Sequence, residues 1–207
     1  MKRARAPKRP FHHGNLHEAL VERARALLRS DGLAALSLRE VARREGVSHA
    51  AAYRHFRART ALLAAVATTG FVALRERLEA AVAEARTPLD GLGVIGASYV
   101  RFAFDEPHLF RLMYGPELAA RAEHPALETA AREAFGVVPA CVREAQQAKQ
   151  VRREPVLELA LIAWSLVHGI ATLALDGQLA DAGMTAADAE RFVERADRVL
   201  RRGLLPG

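Results

Sequence analysis

The residues best able to do chemistry lie between Ser37 and Arg59. Tyr53 and His55 carry O–H and ring N–H donors of the kind that hold phosphate oxygens without reading sequence. Arg59 adds a fixed charge, and Ser48 opens a short helix whose first N–H groups suit an anion. His49, Ala50, Ala51 and Arg54 are the types that meet base edges: a guanidinium bridges guanine, and an alanine methyl touches a thymine methyl. With few long side chains here, shape readout would carry much of the discrimination. The charge distribution agrees. Residues 1–60 hold 14 Lys/Arg against 5 Asp/Glu, a net of +9, and the remaining 147 residues hold 16 against 19, a net of −3. A basic module on a mildly acidic body implies an anionic partner for the first part. Residues 1–14 form a basic arm with Arg3, Arg5, Lys8 and Arg9. No apolar run of signal-peptide type follows it, and it could add phosphate or minor-groove contacts.

Local signals say which elements must hold these groups. Ser37 and Glu40 form an S-x-x-E capping box that starts a helix at Leu38. Leu38, Val41 and Ala42 give it one apolar face, and Gly46 permits the left-handed exit. Ser48 caps the next helix two residues later. Two short helices joined by so tight a turn must cross steeply, which is helix-turn-helix geometry. The rest also reads as helix, with no alternating strand pattern. A first helix starts after Asn15 and ends at Asp31-Gly32. Others span 38–45, 49–55, 60–86, 89–104, 107–114, 124–149, 156–176 and 185–202, with Pro139 expected to kink or split the seventh. The fold class is all-α, with about nine helices: a helix-turn-helix domain over 15–62 and a larger helical bundle over 63–207.

The stretch from Leu16 to Leu63 resembles the TetR family of bacterial transcriptional regulators. The likeness rests on Leu38-x-x-Val41-Ala42-x-x-x-Gly46-Val47-Ser48, then Tyr53-x-His55-Phe56 and Leu62-Leu63. Ala52, Ala58 and Arg59-Thr60 depart from the residues usual there. The resemblance implies phosphate contacts by Tyr53 and His55, and a homodimeric regulator, most often a repressor, on a palindromic double-stranded DNA operator. It also implies release by a small-molecule effector. Phe56 is expected to plug the core, and Arg43 and Arg44 to form an ordinary solvated face.

The body carries a second resemblance. Trp164-x-x-x-His168-Gly169 is similar to the Trp-His-Gly signature of one C-terminal subgroup of that family. Residues 157–175 are apolar on every face, and 159–175 carry no formal charge. The stretch is slightly short for a bilayer span and contains His168, so cover by a second subunit is expected instead. The last helix, with Phe192, Val193, Val199 and Leu200 in a stripe, would complete a four-helix dimer interface. Tyr99, Phe102, Phe110, Met113, Trp164 and His168 are candidates to line a pocket for a small apolar ligand, with ordinary core as the default for any one of them.

Other motifs are excluded. Gly91-Leu92-Gly93-Val94-Ile95-Gly96 matches G-x-G-x-x-G but follows helix, not strand, so no dinucleotide is expected. A helix loosened by these glycines could help open a pocket. Gly169 is expected to permit close helix approach. His12, His13 and His17 lack a carboxylate or thiol cluster, so no metal is expected. No nucleophile elbow, P-loop or H-E-x-x-H occurs. Cys141 is the only cysteine, which suits a reducing, cytoplasmic setting. The alternative function is a helical enzyme on a small apolar substrate, with the basic module as regulator.

Overall fold

The computed structural model describes residues 16–180, 183 and 186–204. The basic arm and Asn15 lie outside them. The elements are α1 (Leu16–Asp31), α2 (Leu38–Glu45), α3 (His49–His55), α4 (Arg59–Ala83), α5 (Pro88–Asp105), α6 (Pro107–Tyr114), α7 (Pro125–Gln147), α8 (Val156–Leu175) and α9 (Ala186–Leu204). Single 3-10 turns sit at Leu33–Ala35, Pro116–Leu118 and Arg121–Glu123. The chain divides into two compact units, residues 1–62 and 63–207, with the boundary inside α4.

In the smaller unit α1 buries Leu20, Val21, Ala24, Leu27 and Leu28, the i, i+3, i+4, i+7 stripe of an amphipathic helix. It packs on α2, and α2 packs on α3. Gly32, at φ 75°, closes α1, and Gly46, also at φ 75°, closes α2. The Val47 N–H reaches the Ala42 carbonyl at 3.0 Å, the 6→1 bond of a Schellman motif. Leu36, Phe56 and Leu62 complete the core. Arg59 ties the layout together. Its Nε donates to the Leu36 carbonyl at 2.7 Å and one Nη to the Leu33 carbonyl at 3.0 Å. The first residue of α4 thus adds donors to two carbonyls of the α1–α2 connection, and the Leu33 carbonyl also accepts the Leu36 N–H at 3.2 Å.

In the larger unit α5 is the central element, packed against α6, α7, α8 and α9. Thr87 caps it by accepting from the Asp90 N–H at 3.1 Å, and Pro88 follows at the first turn, where a proline's missing N–H is no loss. Arg201 of α9 then bridges Asp90 and Asp197, at 3.2 and 2.7 Å. The three glycines of the G-x-G-x-x-G stretch are explained by this crowding. A Cβ on Gly91 would stand 2.8 Å from Cys141 Sγ of α7. One on Gly93 would stand 2.5 Å from an Arg201 nitrogen, and one on Gly96 would stand 3.2 Å from Val167 and 3.4 Å from Val193. They bring helices together and do not loosen α5.

Two further expectations change. Pro139 lies inside α7, which continues from Pro125 to Gln147 without a break. Ala134, Val138, Cys141 and Val142 are buried on either side of it, so packing on α5 and α8 carries the helix across one missing bond. Gly169 has nothing within 4 Å of an added Cβ, so it serves no close approach within its own chain. α8 is long and apolar enough to cross a membrane, yet it packs against α5, α7 and α9.

The same substitution at two helical glycines should give opposite signs. Gly136 faces open space, so Gly136→Ala should stabilise by up to about 1 kcal/mol. Gly91→Ala must displace Cys141 Sγ, which donates to the Pro88 carbonyl at 3.2 Å, and should cost about 1–3 kcal/mol in urea unfolding. If both variants gained stability, the tight α5–α7 packing would be refuted. Arg59→Ala should lower the unfolding free energy even without DNA, by about 1–3 kcal/mol, seen as a lower urea midpoint. An unchanged midpoint would remove its clamping role.

Candidate nucleic-acid interface

The short helix α3 starts at Ser48, whose Oγ accepts from the Ala51 N–H at 3.2 Å. Ser37 does the same for α2, accepting from the Glu40 N–H at 3.2 Å. Both hydroxyl oxygens are therefore engaged as caps. The Glu40 carboxylate takes Arg43 at 2.6–2.7 Å and Arg44 at 2.8 Å. Those two guanidinium groups hold its pKa down at about 2, so it stays ionised at any working pH. Arg44 also reaches Asp31, and Arg23 reaches Glu45. The carboxylates of α2 and its surroundings are thus neutralised by arginines on α1 and α2.

The segment that follows α2 is different. Residues 46–75 contain no Asp or Glu. His49, Ala50, Tyr53, Arg54 and His55 are all exposed. Positions 49, 50, 53 and 54 share one face at about 100° per residue. The Tyr53 ring stands edge-on to His49 at 4.6 Å and remains 45% exposed. His17 of α1 lies 4.7 Å from Phe56, which is buried, and 6.3 Å from His55. Arg54, Arg39 and Arg57 are exposed and form no ion pair among the described residues.

Ala51 is a correction. It is 7% exposed and packs inward with Ala52, because two residues after His49 the helix has turned through about 200°. Arg59 spends its fork on the two carbonyls described above. Sequence reasoning misses Arg39 and Arg57. The signal is available, since both are cations within or just after the helix-turn-helix segment with no acid three or four residues away.

The larger unit holds the aromatic set. Tyr99, Phe110, Tyr114, Trp164 and His168 form one cluster with ring centroids 4.6–6.4 Å apart. The Tyr99 hydroxyl and His168 Nδ1 share a hydrogen bond at 2.8 Å. Burial pushes both tyrosine hydroxyls up, with the neighbouring tyrosine adding to the rise at Tyr99, and burial pushes His168 down. All three are neutral near pH 7. Beside them lies a cavity of about 220 Å³, with walls that include Phe71 and Leu74 of α4, Tyr99, Tyr114, Arg121, Phe135 and Trp164. Of the expected pocket residues only Tyr99 and Trp164 line it. Phe102, Phe110 and Met113 are buried core, and His168 supports the wall from behind through Tyr99 and Trp164. Arg121, Phe71 and Phe135 are additions that the sequence did not single out. Among the described residues no three His, Cys, Asp or Glu side chains are grouped to hold a metal. The Cys141 thiol is pushed up to about 11, by burial first and Glu144 second, so it is not an activated nucleophile.

The comparisons with known proteins address both units. Residues 20–66 match the bacterial regulatory proteins of the tetR family, and residues 92–200 match the tetracyclin repressor-like C-terminal domain. No protein of curated function matches. A protein with unknown function from Rhodococcus sp. RHA1 is 38% identical, covering 96% of this chain and 100% of its own, with a TM-score of 0.84. PfmR, a TetR family transcriptional regulator from Thermus thermophilus, is 20% identical over 90% of this chain and 99% of its own, with a TM-score of 0.66. A bacterial regulatory protein in the tetR family from Rhodococcus RHA1 is 18% identical over 92% and 97%, with a TM-score of 0.66. The second match alone spans more than half of the chain, and with the exposed basic face of α3 it fixes the identity: this protein belongs to the TetR family of DNA-binding transcriptional regulators.

Proposed function

We propose that the protein is a homodimeric repressor that reads two half-sites of a palindromic operator and is released by a small molecule bound in the larger unit. The observation that carries DNA reading is the outward face of α3, where every exposed side chain is a neutral or cationic donor or a methyl group. His49, Ala50 and Arg54 meet base edges, and Tyr53, His55, Arg39 and Arg57 meet phosphates. The basic arm adds contacts along the backbone. DNA and a lone cysteine together suit the cytoplasm.

Dimerisation rests on α8. Leu157, Leu161, Ile162 and Leu173 stay 40–58% exposed, and Val199 of α9 is 71% exposed. Ile162, Ser165, Gly169 and Leu173 follow one helical stripe, with open space at Gly169. A large apolar stripe of this kind needs cover in water, and a second copy related by a two-fold axis supplies it. A ligand then acts by binding two states of the dimer unequally.

DNA recovered by selection from a random pool should be an inverted repeat. Arg54→Ala should relax preference at one position of each half-site, at about 1–3 kcal/mol. Tyr53→Phe and Arg57→Ala should weaken all sequences alike, and Arg57→Ala should reduce the salt slope by about 1. A loss at Tyr53 confined to one operator sequence would contradict its phosphate role. Ile162→Glu should turn the dimer into a folded monomer in light scattering, and an unaltered dimer would move the interface away from α8.

A further inference from the structure

Among the described residues, Arg121 is the one charged side chain in the cavity wall. It is half-buried and held in place from three sides. One Nη donates to the Met113 carbonyl at 2.6 Å. The guanidinium carbon lies 5.2 Å from the Phe71 ring centroid and 5.7 Å from that of Tyr114, a cation–π seat on two rings. Yet the group forms no ion pair among the described residues, and no Asp or Glu lines the cavity. A guanidinium has five N–H donors in a fixed fork. One neutral carbonyl leaves most of that fork unspent. A fork that is oriented, partly desolvated and unpaired is built for a planar oxyanion that arrives with the ligand.

The remaining walls set the rest of the molecule. Phe71, Leu74, Phe135, Val138 and Trp164 are apolar or aromatic. A cavity of roughly 150 Å³ holds benzene, so 220 Å³ takes something larger. That is room for a phenyl ring with a short chain and one head group.

We propose that this cavity binds a small aryl- or alkyl-carboxylate, with its carboxylate on the Arg121 fork and its apolar body between Phe71, Phe135 and Trp164. The inference rests on the effector reading above for its consequence, but not for its site. The Tyr99 and Tyr114 side chains also line the cavity, with the Tyr99 hydroxyl already engaged by His168, so the charge of Arg121 carries the recognition. Binding makes and breaks no covalent bond.

Trp164 is the only tryptophan, so its emission reports the site directly. The test titrates the full-length protein with 4-phenylbutyrate and octanoate, each against its uncharged amide. Each acid should change Trp164 emission saturably and bind at least about tenfold more tightly than its amide. Arg121→Met should abolish that preference, and Arg121→Lys should keep part of it. Both variants are first checked for an intact thermal transition and for retained DNA binding. Equal binding of acid and amide, no saturable response to either acid, or an unchanged preference in folded Arg121→Met would each overturn the proposal. A separate arm measures affinity for the selected DNA with and without 4-phenylbutyrate. Weakened DNA binding supports both readings. Binding seen by Trp164 with unaltered DNA affinity supports the site and overturns effector release.

Discussion

The backbone at Gly46 is the constraint on which the DNA-facing unit depends. Its φ of 75° lies where a side chain costs energy, although nothing stands within 4 Å of the place a Cβ would occupy. The glycine is there for conformation, not for room. That conformation turns the chain so that Ser48, only two residues beyond Gly46, can cap α3. Two helices joined so tightly cannot run side by side. α3 must cross α2, bury Ala51 and Ala52 beneath it, and present His49, Ala50, Tyr53 and Arg54 outward. The Arg59 bonds to Leu33 and Leu36 then tie the first residue of α4 to the α1–α2 connection.

The larger unit uses glycine in the opposite sense. Gly91, Gly93 and Gly96 sit in ordinary helical backbone, and what they supply is room. Each lets a different neighbour approach α5: Cys141 of α7, Arg201 of α9, then Val167 and Val193. Each glycine costs about 1 kcal/mol in helix propensity, offset at Gly91 and Gly96 by the packing that close approach allows and at Gly93 by room for the Arg201–Asp197 ion pair. One consequence reaches the cavity. With α5 held by α7, α8 and α9, Tyr99 is fixed between them, and its hydroxyl orients His168 and stands at the cavity wall.

What can be read from the sequence follows how local each cause is. The bounds of α2 and α3 are legible because Ser37, Gly46 and Ser48 act within three residues of themselves. The inward turn of Ala51 is equally local and follows from helical rotation alone, but side-chain type points outward and misleads. Glu40 looks like the second half of a capping box. In space its carboxylate is drawn to Arg43 and Arg44, which stronger charge pairing favours over a backbone N–H. The break expected at Pro139 follows a local rule that tertiary packing overrides. The pocket residues lie at the limit. Phe102, Phe110 and Met113 are the right types, yet whether an aromatic faces a cavity or the core is decided by elements far away in the chain. Arg121 sits in a 3-10 turn with no periodicity to betray it.

The chemistry of discrimination explains why that arginine matters more than the shape around it. An apolar pocket distinguishes ligands that differ by one methylene by only about 1–3 kcal/mol. Walls of Phe71, Phe135 and Trp164 would therefore admit a range of small hydrophobic bodies. A partly desolvated guanidinium without a counter-charge discriminates more sharply. A neutral body in the cavity would cover the fork and leave its donors unmatched, a cost of about 1–3 kcal/mol or more for a charged group. A carboxylate removes that cost and gains the pairing. On the carboxylate proposal, selection by size is thus weak and selection by charge is strong, and both follow from an apolar and aromatic wall whose one charged side chain among the described residues is Arg121.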